Sequence, residues 1–114
     1  MSQASGTVSA EILERIVRRV VEVAEPEKII LFGSAAAGRH GPNSDIDLLV
    51  VKRGANRLEL ADKIYRNLHG VGEPVDIIVV TPDDIEKHRH THALVIAPAL
   101  KEGTVLYGAS EKTT

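Results

Sequence analysis

Three short runs of apolar, largely β-branched residues constrain this chain most: Lys28–Phe32, Asp45–Val51 and Pro74–Val80. Lys28–Phe32, short, continuously apolar and stopped by Gly33, reads as a buried strand; Asp45–Val51, polar on one face at its start and apolar at its end, and Pro74–Val80 read as the second and third strands of a mostly buried sheet. The segments between them carry the period of a helix. Over Ala10–Ala24, the residues Ile12, Leu13, Ile16, Val17, Val20, Val21 and Ala24 fall on two adjacent rows, with Glu14, Arg15, Arg18, Arg19 and Glu22 opposite. Ser9 suits the N-cap, and Pro26 stops the helix. Asn56–His69 predicts a second helix, with Leu58, Ala61, Tyr65 and Leu68 on one face, Leu60 and Ile64 flanking it, and Gly70 just past its end.

Ser34–Gly38 reads as a turn or two of helix, and Arg39–Ser44 as a surface loop. Thr81 and Pro82 have the cap and first-turn chemistry of a further helix. A later helix is expected over Ile96–Glu102, and a short edge strand over Thr104–Tyr107. This alternation gives an α/β class: a mixed sheet of three to four strands flanked by about four helices. At 114 residues the chain is read as a single domain over 1–114, with an ordered core of about 9–108.

Composition removes several function classes. There is no cysteine, which excludes thiol nucleophiles, disulfides and sulfur-ligated metals. The aromatic side chains are Phe32, Tyr65 and Tyr107, too few and too scattered for a base-stacking platform. Lys and Arg number 14 against 16 Asp and Glu, so no basic excess favours direct nucleic-acid binding. No apolar run approaches the ~20 residues of a membrane span, and Met1–Ser9 lacks the pattern of a signal peptide. The expected setting is the cytoplasm, away from membranes.

The chemistry concentrates in Gly33-Ser34, ten further residues, then Asp45-Ile46-Asp47. Side chains two apart on a strand share a face, so Asp45 and Asp47 offer paired hard-oxygen donors to Mg²⁺. Gly33 and Ser34 follow a strand and open a helical turn, where a missing Cβ, N–H groups and a hydroxyl can receive a phosphate. Asp76 stands at the start of the third strand much as the pair stands at the start of the second. If those strands are neighbours, three carboxylates converge. Two like charges ~4 Å apart repel by roughly 4 kcal/mol at an effective dielectric near 20, so convergence calls for a cation. Three carboxylates and substrate phosphates suit two metals and an in-line phosphoryl or nucleotidyl transfer.

Gly33-Ser34, Asp45-x-Asp47 and the lone strand Asp76 together resemble the nucleotidyltransferase fold of the DNA polymerase β superfamily, and the short length resembles its minimal nucleotidyltransferase (MNT) group. The resemblance runs from about Ile12 to Tyr107. It implies that Asp45, Asp47 and Asp76 are catalytic and bind divalent metal (two Mg²⁺ ions, with Mn²⁺ an alternative). It also implies that Asp76 helps activate the attacking hydroxyl, and that Gly33 and Ser34 hold the terminal phosphates of ATP. Many MNT proteins act as the antitoxin of a HEPN-domain toxin, and some transfer AMP onto it. The resemblance therefore implies a HEPN toxin and a nucleoside triphosphate as partners; a homo- or hetero-oligomer stays open, since the sequence does not reveal the oligomeric state.

The chain departs from relatives that carry arginines just after Gly-Ser. Here Ala35-Ala36-Ala37 follows, and the basic residues considered as substitutes are Arg39 and Lys52. One other reading stays open for that reason: an antitoxin that works by contact with little catalysis. A third is a small-molecule nucleotidyltransferase of the aminoglycoside type, which would need its acceptor pocket from a partner subunit. Arg15, Arg18 and Arg19 read as the wet side of the first helix. His88, His90 and His92 alternate in a way that suggests a metal site, but their i, i+2, i+4 spacing does not suit one helical face, which His88 and His92 alone would share, and the preferred reading is a solvated polar face.

Overall fold

Ser9 caps the first helix as its sequence predicts, its hydroxyl accepting from the Glu11 N–H at 3.1 Å. The helix α1 spans Ala10–Ala24 and ends on Glu25, which takes a left-handed φ of 44° immediately before Pro26. The computed structural model describes residues 8–38, 41, 45–88 and 102–108. After α1 come β1 (Lys28–Phe32), α2 (Gly33–Ala36), β2 (Ile46–Val51), α3 (Arg57–Asn67), β3 (Val75–Val80), α4 (Pro82–His88) and β4 (Thr104–Tyr107). All but Glu102 of the helix expected over Ile96–Glu102 lies outside the described residues.

The strands form one sheet in the order β3-β2-β1-β4. β1 is antiparallel to both β2 and β4, and β2 is parallel to β3 across the α3 crossover. The sheet is therefore mixed, as expected, with β4 on one edge. Strand alternation divides the core in two. Ile29, Leu31, Ile46, Leu48, Val50, Ile77 and Val79 pack on one face with Ile16, Val20 and Ala24 of α1 and Ile64 of α3. Ile30, Leu49, Val51 and Val80 face the other way and meet Ile85 of α4.

Two expectations from periodicity need correction. In α3 the buried positions are Ile64 and, just past the helix, Leu68, with Leu60 and Ala61 half-buried; Leu58 is 84% exposed and Tyr65 is 43% exposed. The buried stripe follows the Leu60–Ile64–Leu68 row, so Leu58 and Tyr65 do not line the core. Arg19 is also more than a solvated charge. Its guanidinium donates to the carbonyls of Asn67 and His69 at 3.3 and 3.0 Å, while the Asn67 amide donates back to the Arg19 carbonyl at 2.8 Å. It thereby partners backbone acceptors left open at the end of α3.

The start of α4 is a reciprocal cap. The Asp84 N–H donates to the Thr81 hydroxyl at 3.1 Å, and the Thr81 N–H donates to the Asp84 carboxylate at 2.9 Å. Arg57 reaches the same carboxylate from α3 at 2.8 Å. The Thr81 N–H, with smaller help from its hydroxyl and from Arg57, holds the Asp84 carboxyl below its ordinary range against the opposing effect of burial. A depressed folded-state pKa stabilises above the unfolded value near 3.9 and is lost as pH falls through the folded value. Asp84→Asn is expected to cost about 1 kcal/mol at pH 7, and urea melts of the two proteins should draw together near pH 2.

Candidate functional site

The parallel register of β2 and β3 sets Asp47 level with Asp76. Adjacent strands lie about 4.8 Å apart, and register partners in a ladder project to the same face. Asp47 shares that face with Leu49 and Val51, and Asp76 shares it with Ile78 and Val80. Both carboxylates thus stand at the N-terminal ends of their strands, on the face away from α1 and α3. Asp47 is half-buried, whereas Asp45 and Asp76 are exposed. Asp45 directly precedes β2, next to Ile46, whose N–H donates to the Pro74 carbonyl at 2.9 Å.

Gly33 comes to the same place from β1. Phe32 is the register partner of Asp47, so the chain enters α2 directly beside that carboxylate. Gly33 has φ +75°, and a Cβ built on it would collide with the Asp47 Oδ2 and lie 3.3 Å from its Cγ. Only glycine fits here, both for its backbone angle and for the close approach. Ser34 follows, half-buried, with Ala35 tucked into the core. The strand-turn-helix geometry thus brings Gly33 and Ser34 to the same end of the sheet as the aspartates.

Tyr65 also belongs to this place, and sequence reasoning missed it. Its hydroxyl donates to the Asp76 Oδ1 at 3.2 Å and accepts from the Ile77 N–H at 2.8 Å. Burial pushes the hydroxyl pKa up, and the negative fields of Asp76 and Asp45 push the same way, against the N–H from Ile77. The tyrosine therefore feels two of the three acids. The only sequence signal was a polar-tipped ring at the margin of an apolar stripe.

The donor set fits a divalent metal by its chemistry: Asp45, Asp47 and Asp76 offer hard carboxylate oxygens at one end of the β2–β3 ladder, beside a backbone cleared of any Cβ. Among the described residues, no three His, Asp or Glu side chains are already gathered as a metal cage. The candidate basic residues are a different matter. Arg39 lies outside the described residues. Lys52 follows the far end of β2, about 17 Å along the strand from Asp47 at 3.3 Å per residue, and its ammonium donates to the Glu25 carbonyl at 3.0 Å. Lys52 therefore does not supply the missing cation. His88 ends α4, and His90 and His92 fall outside the described residues. No described helix is long and apolar enough to cross a membrane.

A family model described as "Nucleotidyltransferase domain" matches residues 11–105. Among solved structures, a candidate nucleotidyltransferase from Sulfolobus solfataricus has a TM-score of 0.60 at 23% identity, covering 89% of this chain and 81% of that one. A toxin–antitoxin structure with AMP-PNP has a TM-score of 0.53 at 25% identity, covering 86% and 75%. A mutant of the toxin–antitoxin MntA–HpeT has a TM-score of 0.51 at 22% identity, covering 91% and 77%. No curated protein matches the sequence.

Proposed function

The chain belongs to the nucleotidyltransferase domain family, and on that premise we infer that it transfers AMP from ATP to a protein hydroxyl, as the antitoxin of a HEPN-domain toxin. The observation that carries the reading is the Asp47–Asp76 register beside a glycine that admits no side chain. The similarity to a toxin–antitoxin structure with AMP-PNP supports the nucleotide class and the kind of partner.

Asp45, Asp47 and Asp76 would hold divalent metal, Mg²⁺ by preference. Bound there, the metal supplies positive charge to the triphosphate and acidifies the attacking hydroxyl. Gly33 and Ser34 would receive the terminal phosphates, where the absent Cβ lets backbone approach closely. Asp76, exposed at the strand start, would take the proton as the acceptor oxygen bonds to the α-phosphorus. The bond from that phosphorus to the bridging oxygen breaks, and pyrophosphate leaves.

Incubating the protein with its partner toxin, Mg²⁺ and ATP labelled at the α-phosphate tests this. The expected result is label on the toxin, with none transferred from γ-labelled ATP. No transfer from either, under conditions where ATP binds, would overturn it. One observation favours the contact-only antitoxin: α2 reads Gly-Ser-Ala-Ala, with no basic residue in its last turn. On that reading, the double variant Asp45→Asn/Asp47→Asn still neutralises the toxin; on the catalytic reading it does not.

A further inference from the structure

We propose that Tyr65 is a positioning residue that fixes the Asp76 carboxylate for metal binding; this rests on the reading of Asp76 as a metal ligand. Among the described residues β3 is an edge strand, so half of its backbone groups face no described neighbouring strand. The carbonyls of Pro74 and Val80 accept from Ile46 and Lys52 of the β2 side, which turns the even-numbered residues inward. The odd-numbered Ile77 therefore directs its N–H outward, away from β2. Tyr65 crosses the edge of the sheet from α3 and takes that N–H at 2.8 Å.

This anchor gives the hydroxyl a defined place and direction. With a lone pair occupied by a backbone donor, its proton is left for Asp76 Oδ1, at 3.2 Å. The chain of contacts runs from the β3 backbone through the tyrosine oxygen to the carboxylate of the preceding residue. An exposed aspartate at a strand start otherwise samples several rotamers. Held through one oxygen, Asp76 keeps Oδ2 for another ligand. Tyr65 as a residue is 43% exposed, so its placement is not explained by core packing. A hydrogen-bonded partner behind a metal-binding carboxylate commonly matters 10- to 100-fold in metal affinity.

The test is titration of Mn²⁺ alone into the metal-free protein, read from the free-ion EPR signal, for wild type, Tyr65→Phe, Asp76→Asn and the double variant. Thermal unfolding of each is followed by circular dichroism. The expected result is about 10-fold weaker binding in Tyr65→Phe, with its melting temperature little changed. The double variant should bind no more weakly than Asp76→Asn alone, because Tyr65 acts through Asp76. Unchanged Mn²⁺ affinity in Tyr65→Phe, with a loss in Asp76→Asn, overturns the positioning role and leaves the metal reading standing. Additive losses also overturn it, because the tyrosine would then act elsewhere. If wild type binds no Mn²⁺, or Asp76→Asn binds it normally, the metal reading fails and takes the proposal with it.

Discussion

Asp47→Asn is expected to reduce nucleotidyl transfer by about 10²–10³-fold, the scale on which loss of one preorganised electrostatic group acts, while the fold survives. Asparagine keeps the shape of the side chain, so its place against Gly33 is preserved. What disappears is a charge at the point where Asp76 stands level across the ladder. Across the ladder the two carboxylates repel each other when no metal is bound. Asp76 is exposed to water, where that repulsion is worth about 1 kcal/mol, so urea melts in EDTA should move by no more than this. Adding Mg²⁺ should stabilise wild type more than the variant, since only a ligand bound by the native state raises its stability. An activity loss matched by a large loss of stability would mean that Asp47 serves the fold instead.

Gly33→Ala is expected to damage both stability and activity. A positive φ costs an L-residue about 1–2 kcal/mol in the left-handed region, and Gly33 holds φ +75°. The added methyl also occupies the position of the Asp47 carboxylate. That carboxylate is the end of a side chain and can rotate away, which moves a proposed metal ligand. Transfer should then fall by about 10²-fold. The two effects separate in a double-mutant cycle. In an Asp47→Ala background the collision vanishes while the backbone cost remains, so Gly33→Ala should destabilise less there, by about 0.5–3 kcal/mol. Equal destabilisation in both backgrounds would show that the close approach carries no energy.

The sheet was legible because its strands are largely buried: β1 read from a continuous apolar run stopped by Gly33, and β2 and β3 from apolar runs that each begin beside aspartate. The caps at Ser9 and Thr81 were equally legible, since local hydrogen-bond chemistry decides them. Asp45, Asp47 and Gly33 could be singled out because their spacing is short and spans a single strand-turn-strand unit. The adjacency of Asp76 depended on strand order, which one sequence does not encode locally; the parallel β2–β3 pairing settles it. Tyr65 was hidden for a related reason. Its row on α3 and the buried row overlap within one turn, and periodicity alone does not separate them. Its contact with the outward N–H of Ile77 becomes visible only once β3 is placed at the edge of the described sheet. Lys52 illustrates the converse: proximity in sequence to the acids hid a whole strand length of separation.

On the function proposed above, Gly33, Ser34 and the three aspartates form one metal-dependent nucleotide site. Calorimetric titration with α,β-methylene ATP, which resists cleavage at the reacting bond, tests it most directly. Wild type should bind the analogue with Mg²⁺ present and at least about 10-fold more weakly in EDTA, and Asp45→Asn/Asp47→Asn should lose the Mg²⁺-dependent part. Binding of equal strength with and without metal, or unchanged in the double variant, would show that these residues do not form a metal-dependent nucleotide site.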